Sequence, residues 1–475
     1  MERKFDHYER NYWSLYLDFL KTFKKLEYKG ISLPYLCHFK SLFRKNTELL
    51  KNLEKTQIYK QLNHKVLKEG EFQKVFNDFV RKHSKKELNP NKNGKVIFHD
   101  VYNLLRFPNN TFEKNFNPSD SLMIIERYKR NPNQTHIPTQ YFDEYMSDSS
   151  LVKERIKDIE KKAKQIIKRH SNHPMYKEQS FQDVFFDQLT KIIYRIEEAQ
   201  NLLETVPTAC VVVPSAHYFQ TRTFVIVAAE KGIPTICMQH GIFSNRFSYL
   251  PQVSYIDAVY GQLEKDWLKT KGVMGQRMEV IGHPRFDQIF NGPTKPKSSF
   301  QQKLKLDKKK KTILIIIRGK QQLNEWRQFI NELSDLDQFN IIIRDYPNVK
   351  KHPLIKDFPF LKTTKGFKLY DSIYHSDCVI SYSSTVALEA MLAGKPVFLL
   401  NKEFPGYSGY FDSLGKLVQE DPSSLAKIVG RYFDDRNLQT YVKEKQGQFL
   451  ENAYPNRQEL SSDRLKQLIN RITNK

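Results

Sequence analysis

Apolar residues along the chain follow two different rhythms. In residues 1 to about 90 they recur at three- and four-residue spacing, in Tyr12–Leu20, around Leu49–Val66 and in Phe72–Phe79, which predicts helices. A breaker cluster, NPNKNG (89–94), closes that region. KVIFHD (95–100) and SLMIIERY (121–128) then read as strands. A helical pattern runs from Ser150 to Glu204, with Val152, Ile156, Ile159, Ala163 and Ile167 on one face. Strand ACVVV follows, then a helix over Phe219–Lys231, strands TICMQ and SYIDAVYG, a helix near Glu264–Lys271 and strand MEVIG. Runs as uniformly apolar as CVVV belong in a parallel sheet covered on both faces.

Residues 292–311 (GPTKPKSSFQQKLKLDKKKK) are polar and charged and predict an interdomain linker. TILIIIRG opens a second alternating series: a helix over Gln322–Leu333, strands FNIIIRDYP and CVISYS, helix STVALEAMLAG, strand PVFLLN and helices from Pro422 on. A chain of 475 residues is too long for one ordinary core. The expected fold class is α/β: a basic helical extension over 1–90, a Rossmann-like domain over 91–291 and a second over 312–475 that ends in helices.

Charge changes the picture next. Lys and Arg number 77 against 53 Asp and Glu, a net charge of +24. Nucleic acid, an anionic membrane surface and phosphorylated substrates all suit such a balance. Zinc-finger spacing, an RNP-like strand and Gly-Arg tracts are absent, which sets nucleic acid aside. Residues 1–90 hold 20 Lys and Arg against 11 Asp and Glu, with Tyr, Trp and Phe interleaved. They read either as a helical cap or as a peripheral membrane-docking segment. Cys210, Cys237 and Cys378 sit in apolar strand-like runs, and with Cys37 they read as buried thiols of a reducing compartment. The first residues lack a secretory apolar core, and the longest apolar stretch, Cys378–Leu400, is broken by Glu389 and Lys395. The expectation is a cytoplasmic protein, peripheral on the inner membrane face if the basic helices dock there.

The strongest candidate chemistry lies in DCVISYSSTVALEAMLAGKPV. A buried strand ends at Ser383, and Ser384 and Thr385 open a helix whose free N–H groups suit a phosphate. Glu389 lies four residues after Thr385, on the same helix face, where a carboxylate can accept bonds from ribose hydroxyls. A cap and a solvated glutamate would explain the same residues. Arg344 closes strand FNIIIR, where a guanidinium suits a diphosphate or a carboxylate; a strand-end salt bridge is the plainer reading. His240 follows strand TICMQ, where a neutral imidazole can take a proton from an acceptor hydroxyl. His283, in GHPRFD, is the rival base. Ser215 and His217, in the loop after Val213, and Arg285 are assigned to the acceptor side. Asp335 and Asp337 form a D-x-D at a helix end rather than after a buried strand, so no metal and no cofactor are expected. Neither G-x-S-x-G nor a Walker loop occurs, which leaves hydrolases and kinases without support.

GIPTICMQHG, IGHPRFD, IIIRDYP and DCVISYSSTVALEAMLAGKPV follow one another in an order that resembles the surface-polysaccharide transferases of GT-B type. That group includes CDP-glycerol glycerophosphotransferases and capsule or spore-coat polysaccharide proteins. The resemblance covers residues from about 205 to 402. It implies two Rossmann-like domains facing a cleft and transfer without metal. His240 would deprotonate the acceptor; Arg344, Ser383, Ser384 and Thr385 would hold donor phosphates, and Glu389 the ribose. Where the glycerophosphotransferases carry His before the Pro that follows the strand Arg, this chain has Tyr346; His352 precedes Pro353 six residues later. Gly282-His283-Pro284-Arg285 stands where the group has G-Y-P-R.

The expected function is therefore transfer of a sugar or polyol phosphate from a CDP-, CMP- or UDP-linked donor to a glycan or lipid-linked acceptor. The donor would sit on the second domain and the acceptor on the first. A UDP-GlcNAc 2-epimerase relative and a non-catalytic glycan-binding scaffold are the rivals. The first should place acidic residues in first-domain loops, and PSAHYFQTR has none. An intact Arg344, Ser384, Thr385 and Glu389 set argues against the second.

Overall fold

The apolar runs become two all-parallel sheets in the computed structural model of the protein, which describes residues 5–127, 135–146, 150–247, 249–319, 322–344 and 352–474. The chain divides into two units. The first comprises the stretch ending at His240, then Asn245–Arg285, then the tail from Asn456. The second comprises Gly241–Ser244 and Phe286–Pro455.

In the first unit a short antiparallel hairpin, β1 (Glu27–Tyr28) and β2 (Ile31–Ser32), precedes the main sheet. The sheet strands are β3 (Lys95–Asp100), β4 (Ser121–Ile125), β5 (Thr139–Tyr141), β6 (Thr208–Val213), β7 (Thr235–Met238), β8 (Ile256–Val259) and β9 (Met278–Val280). Their order is β5-β4-β3-β6-β7-β8-β9, every neighbouring pair parallel. All six residues of β6 are buried, as a strand covered on both faces requires. One face carries Val96, Phe98, Met123, Val212 and Ile236, packed against Phe112 and against Leu465, Leu468 and Ile469. Those last three lie on the helix Ser461–Thr473, and Arg464 of the same helix donates from Nε to the Ile281 carbonyl. The last helix thus covers the first unit's sheet. It does not belong to a second domain running to residue 475, because its apolar stripe is buried against β3, β4 and β6.

Residues 1–90 take the first of their two expected forms, the helical cap, and do so as part of the first unit rather than as a separate extension. The helix His7–Phe23 sets Tyr12, Trp13, Tyr16, Phe19 and Phe23 inside the first unit. Tyr16 stacks on Phe39 at 3.9 Å between ring centroids, and Phe23 meets Phe185 at 4.8 Å. Phe185 lies on Gln179–Thr205, which the structure separates from the helix Ser150–Arg169 at a segment holding Pro174. Glu9 is fully buried and accepts from Arg246 Nη1 at 2.7 Å and Lys271 Nζ at 2.6 Å. This region is built into the unit as its cap. The aromatic residues that suggested a membrane surface form core.

The second unit holds β10 (Lys311–Ile316), β11 (Phe339–Arg344), β12 (Lys362–Thr363), β13 (Cys378–Ser381), β14 (Val397–Leu400) and β15 (Val418–Gln419), ordered β12-β11-β10-β13-β14-β15 and again wholly parallel. The expected linker, 292–311, is part of this unit. It contains the helix Lys297–Leu304, whose Phe300 is buried against Phe367 at 4.8 Å, and Thr294 donates to the Asp371 carboxylate. Numbered within each sheet, the strands of both units run 3-2-1-4-5-6, the first unit adding a seventh. That is the Rossmann order, and it reverses direction between the first and fourth strands. The four cysteines are free and buried, three of them in β6, β7 and β13. No helix among the described residues is long and apolar enough to cross a membrane.

Candidate functional site

In an open parallel sheet, ligands bind beyond the carboxyl ends of the strands at the point where the order reverses. In the second unit that point lies between β10 and β13, paired as Ile316 with Ser381. Ser381 is buried and donates from Oγ to the Ile316 carbonyl at 3.2 Å. Ser384 is the N-cap of the helix Thr385–Leu392, yet its side chain makes no capping bond and lies 3.3 Å from Ser381 Oγ. Buried Ser383 Oγ has no hydrogen-bond partner. Thr385 Oγ1 accepts from the Ile242 N–H at 3.3 Å, within the short segment Gly241–Ser244 that belongs to this unit. Hydroxyls and an uncapped helix start therefore gather at the reversal point, as the strand–turn–helix pattern predicts. A cavity of about 190 Å³ opens there, lined in part by Ser383, Arg318, Trp326, Asn401 and Lys402. The sequence reading missed Arg318 and Lys402. Each stands at or just beyond an apolar strand end, the signal that had singled out Arg344.

Other donor-side residues sit differently from expectation. Arg344 is half-buried, and its Nη1 donates to Phe367 O at 3.0 Å, Thr364 Oγ1 at 3.2 Å and Ser372 Oγ at 3.5 Å, bracing the loops beyond β12. Glu389 is only 2% exposed and accepts from Tyr370 OH at 2.8 Å, so its carboxylate faces a hydroxyl of its own unit rather than open space for a ribose. His352 is likewise buried. Its Nδ1 accepts from the Leu354 N–H, so its Nε2 carries the proton and donates to the Gly319 carbonyl at 2.7 Å. With both ring nitrogens engaged it anchors the loop after β10. Tyr346 lies outside the described residues.

In the first unit the order reverses between β3 and β6. The chain leaving β6 is Pro214-Ser215-Ala216-His217. Buried Ser215 accepts from the His217 N–H through its Oγ at 3.1 Å and shapes the turn. His240, two residues beyond β7, directs Nδ1 to the Pro214 carbonyl at 3.1 Å. A carbonyl only accepts, so Nδ1 carries the proton and Nε2 keeps its lone pair. Burial, with the charges of Arg106 and Arg285, pulls the His240 pKa down to about 4 against the opposing effect of Pro214. The imidazole is therefore neutral at pH 7. His217 is also held well below the ordinary histidine range, by burial, His38 and Arg222. His38 comes from the N-terminal region, with its ring centroid 4.6 Å from that of His217. Burial and Arg222 lower the His38 pKa to about 3. Sequence reasoning missed His38, because nothing in the local pattern ties residue 38 to residue 217.

Arg222 organises this edge. It is 1% exposed and donates to five acceptors: the carbonyls of Ala216, His217, Tyr35 and Cys37, and Tyr16 OH. One guanidinium thereby ties the loop after β6 to the N-terminal helices. His283, the rival base, is fully buried, packs edge-on to Phe107 and Tyr260, and accepts from the Arg285 N–H through Nδ1. It holds its turn. Arg285 is half-buried, and its charge reaches His240.

Known structures share this architecture. The UDP-GlcNAc 2-epimerase from Neisseria meningitidis, bound to UDP-GlcNAc, superposes with a TM-score of 0.51 at 13% identity, over 79% of this chain and 98% of that one. The S. aureus MnaA–UDP structure gives 0.51 at 12% identity, over 80% and 97%. The wall teichoic acid polymerase TagF gives 0.48 at 14% identity, over 91% and 98%, which adds nothing to the assignment. At these identities the likeness is one of fold: the chain has the two-Rossmann-unit GT-B architecture. No protein-family model matches the chain. No curated protein matches it either.

Proposed function

We propose that the protein is a GT-B transferase that moves a sugar or polyol phosphate from a nucleotide-linked donor to a hydroxyl of a glycan or lipid-linked acceptor in cell-surface polysaccharide synthesis. The observation that carries this reading is the state of His240: a neutral imidazole whose Nδ1 is committed to Pro214 and whose Nε2 is left as an acceptor. Such a nitrogen can take the proton of an attacking hydroxyl as the new bond forms. The uncapped helix start at Ser384 and Thr385 supplies donors for the oxygens of a departing nucleotide. The chain passes from one unit to the other between His240 and Gly241, and Ile242 is bonded to Thr385. On this reading Arg318 and Lys402 replace Glu389 and His352 as donor-side contacts.

Thermal unfolding in the presence of CDP, CMP, UDP, GDP and TDP tests the donor half. A ligand at a hundred times its dissociation constant adds about 2.7 kcal/mol, so a binding nucleotide raises the midpoint visibly. We expect a shift with a pyrimidine nucleotide, lost when Ser384 and Thr385 are both replaced by Ala. No shift with any of the five would overturn the reading.

An epimerase acting on a nucleotide sugar is the second reading. It draws on Glu126, an acidic residue that follows β4 at the first unit's strand ends, although the loop after β6 has none. Burial acts to raise the Glu126 pKa, but Arg195 and His99 outweigh it and hold the carboxylate down to about 2, a poor state for abstracting a carbon-bound proton. Incubation with UDP-GlcNAc in deuterated water separates the two: an epimerase incorporates deuterium at C2, a transferase does not.

A further inference from the structure

A second cavity, of about 790 Å³, lies wholly within the first unit. It opens beyond the carboxyl ends of β3 and β4, where Tyr102 and Glu126 line it, and is flanked by the helices Gln179–Thr205 and Phe219–Glu230. The transferase reading above does not use it. We infer that this cavity binds an uncharged, hydroxyl-rich sugar ring, and that it is the subsite for the acceptor glycan; this last step rests on the transferase reading.

Three observations point to that ligand. The first is charge. Glu126, Asp143 and Glu198 are matched on the lining by Lys153, Lys191 and Arg195, so the wall favours neither an anion nor a cation. Six charged side chains around one cavity also do not suit an acyl chain. The second is unmet hydrogen bonding. Arg195 is 6% exposed, donates from Nη2 to Glu126 at 2.8 Å and pairs through Nε with Glu198 at 3.0 Å, yet its buried Nη1 has no hydrogen-bond partner. Gln220 donates from Nε2 to Tyr102 OH at 2.9 Å, while its buried Oε1 has none. Two Arg195 donors, Nε (ion-paired but not hydrogen-bonded) and Nη1, and one acceptor, Gln220 Oε1, thus lie at the wall without hydrogen-bond partners. Buried polar groups are normally satisfied. A hydroxyl both donates and accepts, so vicinal hydroxyls on a ring answer both needs; a carboxylate or phosphate answers only the first. The third is shape. Tyr102, Tyr194 and Phe219 add aromatic surface for the C–H face of a sugar. Gln220 belongs to the helix that follows the His217 loop, and Tyr102 packs on Tyr218 at 4.9 Å, which joins the cavity wall to the turn carrying the imidazoles.

Saturation-transfer NMR on the full chain tests this. The probes are methyl glycosides of glucose, galactose and N-acetylglucosamine, their β-linked trisaccharides, and the corresponding 6-phosphates. We expect signal from at least one neutral glycoside, and binding about tenfold weaker in Gln220→Leu, as for one lost buried hydrogen bond. Tyr194→Ala, at a half-buried position, should weaken it as well, so the test does not depend on one variant folding. The nucleotide-induced thermal shift should stay at the wild-type value in both. A trisaccharide that binds more tightly than its monosaccharide marks a glycan subsite. Equal affinities, no neutral glycoside signal in the wild type, signal untouched by both variants, or tighter binding of the 6-phosphates that is lost on replacing Lys153 and Lys191 would each overturn the proposal. A missing nucleotide shift would instead defeat the transferase reading and leave sugar binding to stand on its own signal.

Discussion

The two units share one strand order and differ in what they place at its reversal point. In the second unit, hydroxyls of Ser381, Ser383, Ser384 and Thr385 collect around a helix start that no side chain caps. In the first, imidazoles of His38, His217 and His240 collect instead, all held in the neutral form. The backbone solution is the same; the side chains at the strand ends make one edge a source of hydrogen-bond donors and the other a source of a nitrogen lone pair. Function on this fold is written in the few residues that leave the strands, not in the strands. The first unit also recruits the N-terminal helices to hold its edge, through the five bonds of Arg222.

Four variants sharpen or break that contrast. The largest effect is expected from His240→Ala, which should lower turnover roughly a hundred- to ten-thousand-fold and leave nucleotide affinity near the wild-type value, since a general base acts on the chemical step. Because the base must be unprotonated and its pKa is pulled down to about 4, wild-type activity should hold level from neutrality and fall as pH drops through about 4. An acid limb near 6.5 would show an imidazole without this environment. Normal turnover in His240→Ala would remove proton transfer from the first unit's edge.

Next comes Arg222→Met. Five acceptors lose their donor at a buried position, so urea unfolding should show a loss of more than about 4 kcal/mol. A mild loss would mean that the N-terminal helices are held by aromatic packing alone.

The paired change Ser384→Ala and Thr385→Ala should weaken nucleotide binding by roughly 1.5–3 kcal/mol for each charge-assisted bond removed, with the unfolding midpoint of the free protein nearly unchanged. Calorimetric titration reads it directly. Unchanged affinity would deny the second unit its phosphate role.

The smallest effect is expected at Asp257, in β8. It is buried, both carboxylate oxygens lack hydrogen-bond partners, and nearby Arg277 donates to Ser254 O instead. Burial pushes its pKa up to about 7, only partly offset by Arg277. A carboxyl whose folded pKa is raised contributes stability that is full below its unfolded value near 3.8 and is lost as pH rises through about 7. Asp257→Asn should therefore raise the melting temperature more at pH 8 than at pH 5. An equal shift at both pH values would show that Asp257 is already ionised in the fold.

How much of this was legible beforehand differs between fold and site. Strands such as TACVVV and TILIII were readable because a six-residue run without polar relief can only be buried on both faces. Ser384 and Thr385 were readable because a strand running straight into hydroxyls and a helix has few other forms. His240 stood out by its place at a strand end. Side-chain direction was not readable. Glu389, His352 and His283 lie at sequence positions that suit ligand contact, and the structure turns each inward to a local partner. The ends of the chain were not readable either. Periodicity records that Leu465, Leu468 and Ile469 share a face, but not that this face rests on β3 and β6 rather than on the sheet nearer in sequence. The same holds for His38, whose N–H donates to Gln188, 150 residues away. Local sequence determined which surfaces must be hidden. Which surfaces hide one another, and so which histidines meet, was decided by tertiary packing, because apolar burial is non-directional and a hydrophobic stripe carries no address.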